Sequence, residues 1–298
     1  MPPRRALALC LFAVSVWAQD GVDLGTVYAG PSVHAVGIGD FGYEGSDSGR
    51  RSVALGIQAL HRQSPFQIGL TVGDNFYPSG VSGTSDPLWQ KIWVTDYGPL
   101  GIPFFASLGN HDYRGNEQAQ IDYAAKSPTW RMPGHYYTYQ AGPVRFFALD
   151  TDEGTSRKWY SLWERSWSAR QEEWLKEMLN KYKDARWKVV YGHHPIYSDG
   201  EHGDTGRMVK QLLPILRDHK VDVFLAGHDH DLQYHVRDGL QFAIIGGGGK
   251  DTRGITRRRA EFAEAMHGFL DLSASADKMV LRILSPEGKE LFSKAIGK

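Results

Sequence analysis

The chain has 298 residues, enough to bury one large core or two small ones. Lys plus Arg number 34 and Asp plus Glu 34, so there is no basic excess of the kind nucleic-acid binding requires. Aromatic residues make up 12% of the chain, a composition that excludes intrinsic disorder.

Residues 1–18 stand apart. MPPRR is a positive start, ALALCLFAVSV is a short apolar stretch, and Val16-Trp17-Ala18 offers small residues at the positions a signal peptidase reads. The run is too short to span a bilayer comfortably. A cleaved secretion signal is expected at 1–18 and a single domain at 19–298, secreted or periplasmic, with no stable membrane association. Cys10, the one cysteine, falls in the signal, so no disulfide is expected in the rest.

Along the remaining chain, short apolar runs end abruptly in glycine or in a potential metal-ligand side chain. They are VHAVGIGD (33–40), QIGLTVGD (67–74), PFFASLGN (103–110), PVRFFALD (143–150), WKVVYGHH (187–194), VDVFLAGH (221–228) and FAIIGGGG (242–249). Each has the length of a buried strand. Helical patterns lie between some of them. Val53, Ile57 and Leu60 fall at i, i+4, i+7. Ser168 and Gln171 read as a capping box before Trp174, Leu175, Met178, Leu179 and Tyr182. Met208, Leu212 and Leu216 mark a further helix, with Pro214 at a kink or end. HGFLDLSAS, KMVLRILS and KELFSKAI predict three strands forming an antiparallel edge, with a turn at 286–288. Strands alternating with helices predict an α/β layered fold, whose ligands bind at the carboxyl ends of the strands.

Five motifs collect at those ends: GDFG (39–42), GDNFY (73–77), GNHD (109–112), VYGH (190–193) and GHDH (227–230). They hold Asp40, Asp74, Tyr77, Asn110, His193, His228 and His230. A lone strand-end Asp is more often a turn former, and a lone His more often a satisfied core or surface residue. Five ends of one form point to a shared site. His228 and His230 are two apart, so on extended backbone their rings diverge and reach neighbouring ions more easily than one. Seven ligands exceed the need of one ion, whereas a shared carboxylate gives four to each of two.

The five motifs resemble those of the calcineurin-like metallophosphoesterases, and the tyrosine of GDNFY narrows the resemblance to purple acid phosphatases of the small, tartrate-resistant type known from mammals. GDNFYPSGV, GNHDYRGNEQAQI, RMPGHYYTY, GHHPIYSDGEHGDT and GHDHDLQY extend it over nearly the whole chain after residue 33. The resemblance implies a layered β-sandwich of two mixed sheets flanked by helices. It implies a dinuclear metal centre: Asp40, Tyr77 and His230 on ferric iron, Asn110, His193 and His228 on a divalent iron, zinc or manganese, and Asp74 bridging. It further implies an acid phosphatase that hydrolyses small phosphate monoesters by attack of a metal-activated hydroxide. A phenolate, Asp40 and Asp74 are hard oxygen donors suited to a trivalent ion. Against the five positive charges of such a pair, the three anionic ligands leave about +2, which favours a phosphate dianion. By the same resemblance His111 faces the phosphate and His202 protonates the leaving group, with Glu201 expected to hold its ring.

Other stretches carry weaker expectations. His194 either lines the pocket or packs. Residues 151–170, with Trp159, Trp163 and Trp167 at helical spacing, match a loop that covers the site in the mammalian enzymes but read first as an amphipathic helix. GGGG at 246–249 is weak evidence for a phosphate cradle, and the Arg run at 257–259 reads as a solvated loop. His34, His61, His135, His219, His235 and His267 fit no motif and read as structural or exposed. The mammalian relatives carry a disulfide that this chain lacks the cysteines to form. A phosphodiesterase or nucleotide hydrolase on the same scaffold is the alternative reading. A non-catalytic secreted metal-binding protein is a third, and the complete ligand set argues against it.

Overall fold

The computed structural model describes residues 20–45, 48–152 and 168–298. The expected secretion signal and the Trp159, Trp163 and Trp167 stretch lie outside the described residues. In chain order the elements are β1 (Val22–Tyr28), β2 (Val33–Ile38), α1 (Arg50–Gln63), β3 (Ile68–Val72), β4 (Phe104–Ser107), α2 (Glu117–Tyr123), β5 (Trp130–Arg131), β6 (Tyr137–Ala141), β7 (Val144–Ala148), α3 (Ser168–Lys181), β8 (Trp187–Tyr191), α4 (Gly206–Asp218), β9 (Val223–Ala226), β10 (Leu232–Arg237), β11 (Leu240–Ile245), β12 (Phe262–Glu264), β13 (Phe269–Ala274), β14 (Lys278–Leu284) and β15 (Glu290–Gly297). A π-helical segment, Trp89–Tyr97, precedes β4.

Two mixed sheets form a sandwich, ordered β1-β6-β7-β8-β9-β11-β10-β12 and β15-β14-β13-β2-β3-β4-β5. The strands that carry the motifs, β2, β3 and β4 in one sheet and β8 and β9 in the other, pair in parallel within their sheets. Their carboxyl ends therefore gather at one edge of each sheet. The three C-terminal strands pair antiparallel at the sheet's edge, as expected, and β13 continues onto β2.

Strand alternation decides which core each side chain joins. On β8, Trp187, Val189 and Tyr191 enter the core between the sheets, while Val190 faces the opposite way. On β9, Val223 and Leu225 likewise face inward, and Phe224 and Ala226 outward. The outward set packs against Leu175 and Leu179 of α3 and Met208, Leu212 and Leu216 of α4. Both faces of these strands are buried, which is why their sequences read as continuous apolar runs. Pro214 sits inside α4, which continues to Asp218. None of the described helices is long and apolar enough to cross a membrane.

An aromatic cluster supports the GDNFY loop. Phe76 stacks edge-on against Trp89 at 4.6 Å between centroids, and Trp130 meets Trp93 at 4.7 Å and Trp89 at 5.2 Å. The Trp130 indole donates to the Gln120 carbonyl at 2.8 Å. These rings hold the residue before Tyr77 in place, so core packing and site geometry are linked here.

Candidate metal centre

The backbone bends sharply as each motif leaves its strand. Asp40, Asp74 and His228 adopt positive φ values of 57°, 52° and 71°, rare for residues that carry a Cβ and typical of strained functional sites. The bends are tied together by side chains: the His228 N–H donates to Asp40 Oδ2 at 2.9 Å, and the His111 N–H to Asp74 Oδ1 at 2.8 Å. Gly109 permits the second tie. A Cβ there would lie 2.3 Å from Asp74 Oδ1, a distance no atom pair tolerates.

The side chains converge in two groups. The Tyr77 hydroxyl lies 2.8 Å from Asp74 Oδ2, 3.0 Å from Asp40 Oδ1 and 3.2 Å from His230 Nε2. Asn110 Oδ1 lies 3.1 Å from both His193 Nε2 and His228 Nδ1, and those two nitrogens are 3.2 Å apart. Asp74 Oδ2 joins the groups, 3.6 Å from His193 Nε2. One sheet and its loops supply Asp40, Asp74, Tyr77 and Asn110; the other supplies His193, His228 and His230. The arrangement exists only because the sandwich closes.

The donor chemistry fits a pair of cations. His193 Nδ1 donates to the Val72 carbonyl at 3.0 Å and His230 Nδ1 to the Asp251 carbonyl at 2.9 Å. Each ring therefore turns a bare Nε2 lone pair inward. One phenolic proton cannot serve the two carboxylates and the imidazole around it. Burial, then the charges of Asp40 and Asp74, push the Tyr77 phenol well above its usual range, and burial with Asp74 pushes Asp40 up. Burial also keeps His193 and His228 below the usual histidine range and takes His230 to about 3. Neutral imidazoles and crowded oxygen acceptors express one deficit, of positive charge, which bound cations would supply.

Around this core, His111 Nδ1 donates to the Pro78 carbonyl at 2.7 Å, and its Nε2 is 4.0 Å from Asp74 Oδ2. The His202 ring lies 4.2 Å from that of His228. Its expected partner is corrected: Asp229, and not Glu201, holds it, with His202 Nδ1 2.7 Å from Asp229 Oδ1. Glu201 Oε1 instead faces the Gly254 N–H at 3.4 Å. Asp229 is fully buried, whereas Glu201 is on the exposed side of its loop. His194 is buried against the His228 ring at 4.5 Å, with Nδ1 3.0 Å from Thr151 Oγ1.

Sequence reasoning passed over several supports. Thr151 Oγ1 accepts from the backbone of His193 and His194 at 3.1 and 2.9 Å. Asp112 accepts from the Gly109 N–H and the Asn75 N–H, joining two ligand loops. Both Asp112 and Asp229 stand inside the quoted motifs, and their place between ligands was the signal available. Arg259 had no such signal. It leaves the expected solvated run to bond Asp199 Oδ1 at 2.8 Å and Asp204 Oδ1 at 2.7 Å, on either side of His202. GGGG packs closely against the site: a Cβ on Gly246 would lie 2.0 Å from the Asp229 carbonyl and 3.0 Å from Asp40 Oδ2. The remaining histidines bond structural partners, such as His34 to Asp271 at 2.9 Å and His219 to the Ile215 carbonyl at 2.8 Å.

The sequence profile of the calcineurin-like phosphoesterases matches residues 35–232. Purple acid phosphatase 7 of Arabidopsis thaliana is 33% identical over 231 residues, covering 73% of this chain and 70% of that protein. Tartrate-resistant acid phosphatase type 5 of Sus scrofa is 32% identical over 250 residues, 75% of this chain and 73% of that one. Among solved structures, a purple acid phosphatase from yellow lupin seeds superposes with a TM-score of 0.70 at 16% identity, over 89% of this chain and 54% of that one. The anchor protein of the Plasmodium inner membrane complex superposes at 0.74 with 22% identity, over 89% of each chain. The last two share the fold, which by itself assigns no activity. The family match and the curated relatives go further: this chain belongs to the calcineurin-like phosphoesterases, in their purple acid phosphatase branch, and is a metal-dependent phosphoester hydrolase.

Proposed function

We propose that the chain is a secreted acid phosphatase of one domain, residues 19–298, that hydrolyses small phosphate monoesters at a ferric–divalent pair. Asp40, Tyr77 and His230 hold the ferric ion, Asn110, His193 and His228 hold a divalent iron, zinc or manganese, and Asp74 bridges. The observation that carries the reading is the convergence of three anionic or phenolic oxygens and three lone-pair nitrogens on so little positive charge. Secretion rests on the composition of residues 1–18.

Bound there, the metal pair would supply the positive charge that holds phosphate oxygens and acidifies water. The chain supplies the rest. His111, fixed through Nδ1 by the Pro78 carbonyl, presents Nε2 beside Asp74 and orients the phosphate. Asp229 fixes His202 Nδ1, so Nε2 is the atom that gives the proton to the departing oxygen. Asp74 is buried, which would raise its pKa, but His193, His111 and the His111 N–H hold it below the usual carboxylate range and keep it anionic.

Two measurements test this. An aryl monoester should be turned over much faster than the corresponding diester, with activity lost on chelation; a strong diester preference would replace the proposal with a phosphodiesterase. The metal-loaded protein should be purple, and Tyr77→Phe should remove the band. A colourless but active dimetal protein would withdraw Tyr77 and the ferric assignment.

A further inference from the structure

His34 has a second polar neighbour besides Asp271. Its Nε2–H donates to Asp271 Oδ1 at 2.9 Å, and Asp271, fully buried, also accepts from Arg282 Nη2 at 2.8 Å. Nδ1 of the neutral ring is then a bare lone pair, and it faces the Ser64 hydroxyl at 3.4 Å. The three residues come from β13, from β2 and from the end of α1, where Ser64 is the C-cap. His34 is held in place: its N–H donates to Gln67 Oε1 at 2.7 Å, its carbonyl accepts from the Gln67 N–H at 2.8 Å, and the Phe66 ring lies 4.4 Å from the imidazole. Ser64 and His34 line a cavity of about 530 Å³ together with Ser273, Lys278 and Arg282. The strand register sets these on one face: Ser273 pairs with both His34 and Val280, and Lys278, Val280 and Arg282 alternate to the same side of β14. Among the described residues, Arg282 Nε and Nη1 and Lys278 Nζ have no partner. The cavity lies at the amino end of β2, and Asp40 follows its carboxyl end, about 20 Å away at strand rise.

We propose that Ser64, His34 and Asp271 form a second, metal-independent catalytic site that hydrolyses small carboxylic esters bearing a carboxylate. Nucleophile, base and orienting acid are recognised by geometry and role, and these three residues stand in that order. Ser64 Oγ bonds to the ester carbonyl carbon as its proton passes to His34 Nδ1. The carbonyl electron pair moves onto oxygen, where the unpaired donors of Arg282 offset its charge. As that pair returns, the bond to the alcohol oxygen breaks, and this oxygen takes the proton from His34. Water, giving a proton to the same Nδ1, attacks the acyl group on Ser64. Ser64 leaves with that proton and the acid is released. Asp271 holds the ring and offsets the imidazolium charge while it lasts. The Ser64–His34 contact is long for a hydrogen bond, of the kind that tightens when substrate fills the site. Lys278 receives the carboxylate of the ester.

The test measures hydrolysis of mono-p-nitrophenyl succinate by the wild-type, Ser64→Ala and His34→Gln enzymes, each loaded with the same metals, and maps the peptide labelled by diisopropyl fluorophosphate. The ester kcat/KM should fall about 100-fold or more in both variants, and the label should sit on Ser64 and be lost in His34→Gln. Turnover of p-nitrophenyl phosphate should be unchanged in both, which shows that they are folded. Ester turnover that survives in Ser64→Ala overturns the proposal; if chelation then removes it, the metal pair is its source. A wild-type enzyme that neither hydrolyses the ester above the spontaneous rate nor takes the label overturns it as well, and leaves the phosphatase reading untouched.

Discussion

Replacing Arg259 by methionine removes the clamp on the loop that carries His202. The guanidinium bonds Asp199 Oδ1 at 2.8 Å, both oxygens of Asp204 at 2.7 and 2.8 Å, and the Ser198 carbonyl at 2.6 Å. The loop from 198 to 204 is thus fastened on both sides of His202. Asp199 is fully buried, but it keeps the backbone N–H groups of Arg259 and Ala260, so its charge is not orphaned. Breaking a fully buried pair costs about 3–5 kcal/mol. The Arg259 side chain is 35% exposed and its pairing is screened, which reduces the figure to roughly 1–2 kcal/mol. That energy holds the loop in register, so the variant should lower the ratio of loops with His202 in place to loops with it displaced by about 5- to 30-fold. The loss should appear where proton donation matters. Measured as kcat/KM over phosphate esters of graded leaving-group basicity, it should be largest for alkyl phosphates and small for p-nitrophenyl phosphate. His202→Ala should show the same steepened dependence, more strongly. If Arg259→Met slows all esters equally while His202→Ala is selective, the clamp does not act through His202 and the reasoning fails.

Three other outcomes follow from the packing and charges. Gly109→Ala forces a Cβ to within 2.3 Å of Asp74 Oδ1, so metal affinity should drop about 10- to 100-fold, read by metal content after dialysis; full retention would show that the loop yields. Trp130→Ala empties the fully buried centre of the aromatic cluster and should cost about 3–5 kcal/mol in denaturant unfolding, whereas a loss under about 1 kcal/mol would mean the cluster collapses to fill the gap. Burial alone would raise the Asp23 pKa, but Lys181, Tyr182, the Gly25 N–H and Arg145 outweigh it and hold the carboxyl far below the usual range. Its folded pKa is depressed, so its stabilisation is present above the unfolded value near about 3.9 and is lost as pH falls through the folded value. Asp23→Asn should therefore destabilise by roughly 1–2 kcal/mol at neutral pH, discounted for its partial exposure, and progressively less below about pH 4. A difference that persists undiminished at pH 2 would contradict the assignment.

The ligand-bearing strands were legible because β3, β4, β8 and β9 are buried on both faces and end in glycine plus a polar residue, a pattern few other structures produce. The candidate ligands were legible for the same reason, since each stands within a few residues of a strand end. β10 was not. Leu232 and Tyr234 face the core, while Gln233 and His235 are buried in a polar network with Ser198, so the strand shows neither a continuous apolar run nor a solvent-facing alternation. The π-helical turn at Trp89–Tyr97 went unread although its buried residues, Trp89, Ile92, Trp93, Asp96 and Tyr97, keep a helical spacing; one of them, Asp96, is a charged residue buried by its pairing with Arg50 and Arg51, which interrupts the apolar stripe. Which carboxylate holds His202 was also beyond reach. Glu201 is its neighbour in sequence, but Asp229 comes from the other side of the site, 27 residues away. Local sequence thus determined which residues could bind metal and where each strand stops. Only the closing of one sheet on the other decided how they meet, because contacts such as His228 to Asp40, Asp229 to His202 and Arg259 to Asp199 join segments whose spacing along the chain carries no trace of their distance in space.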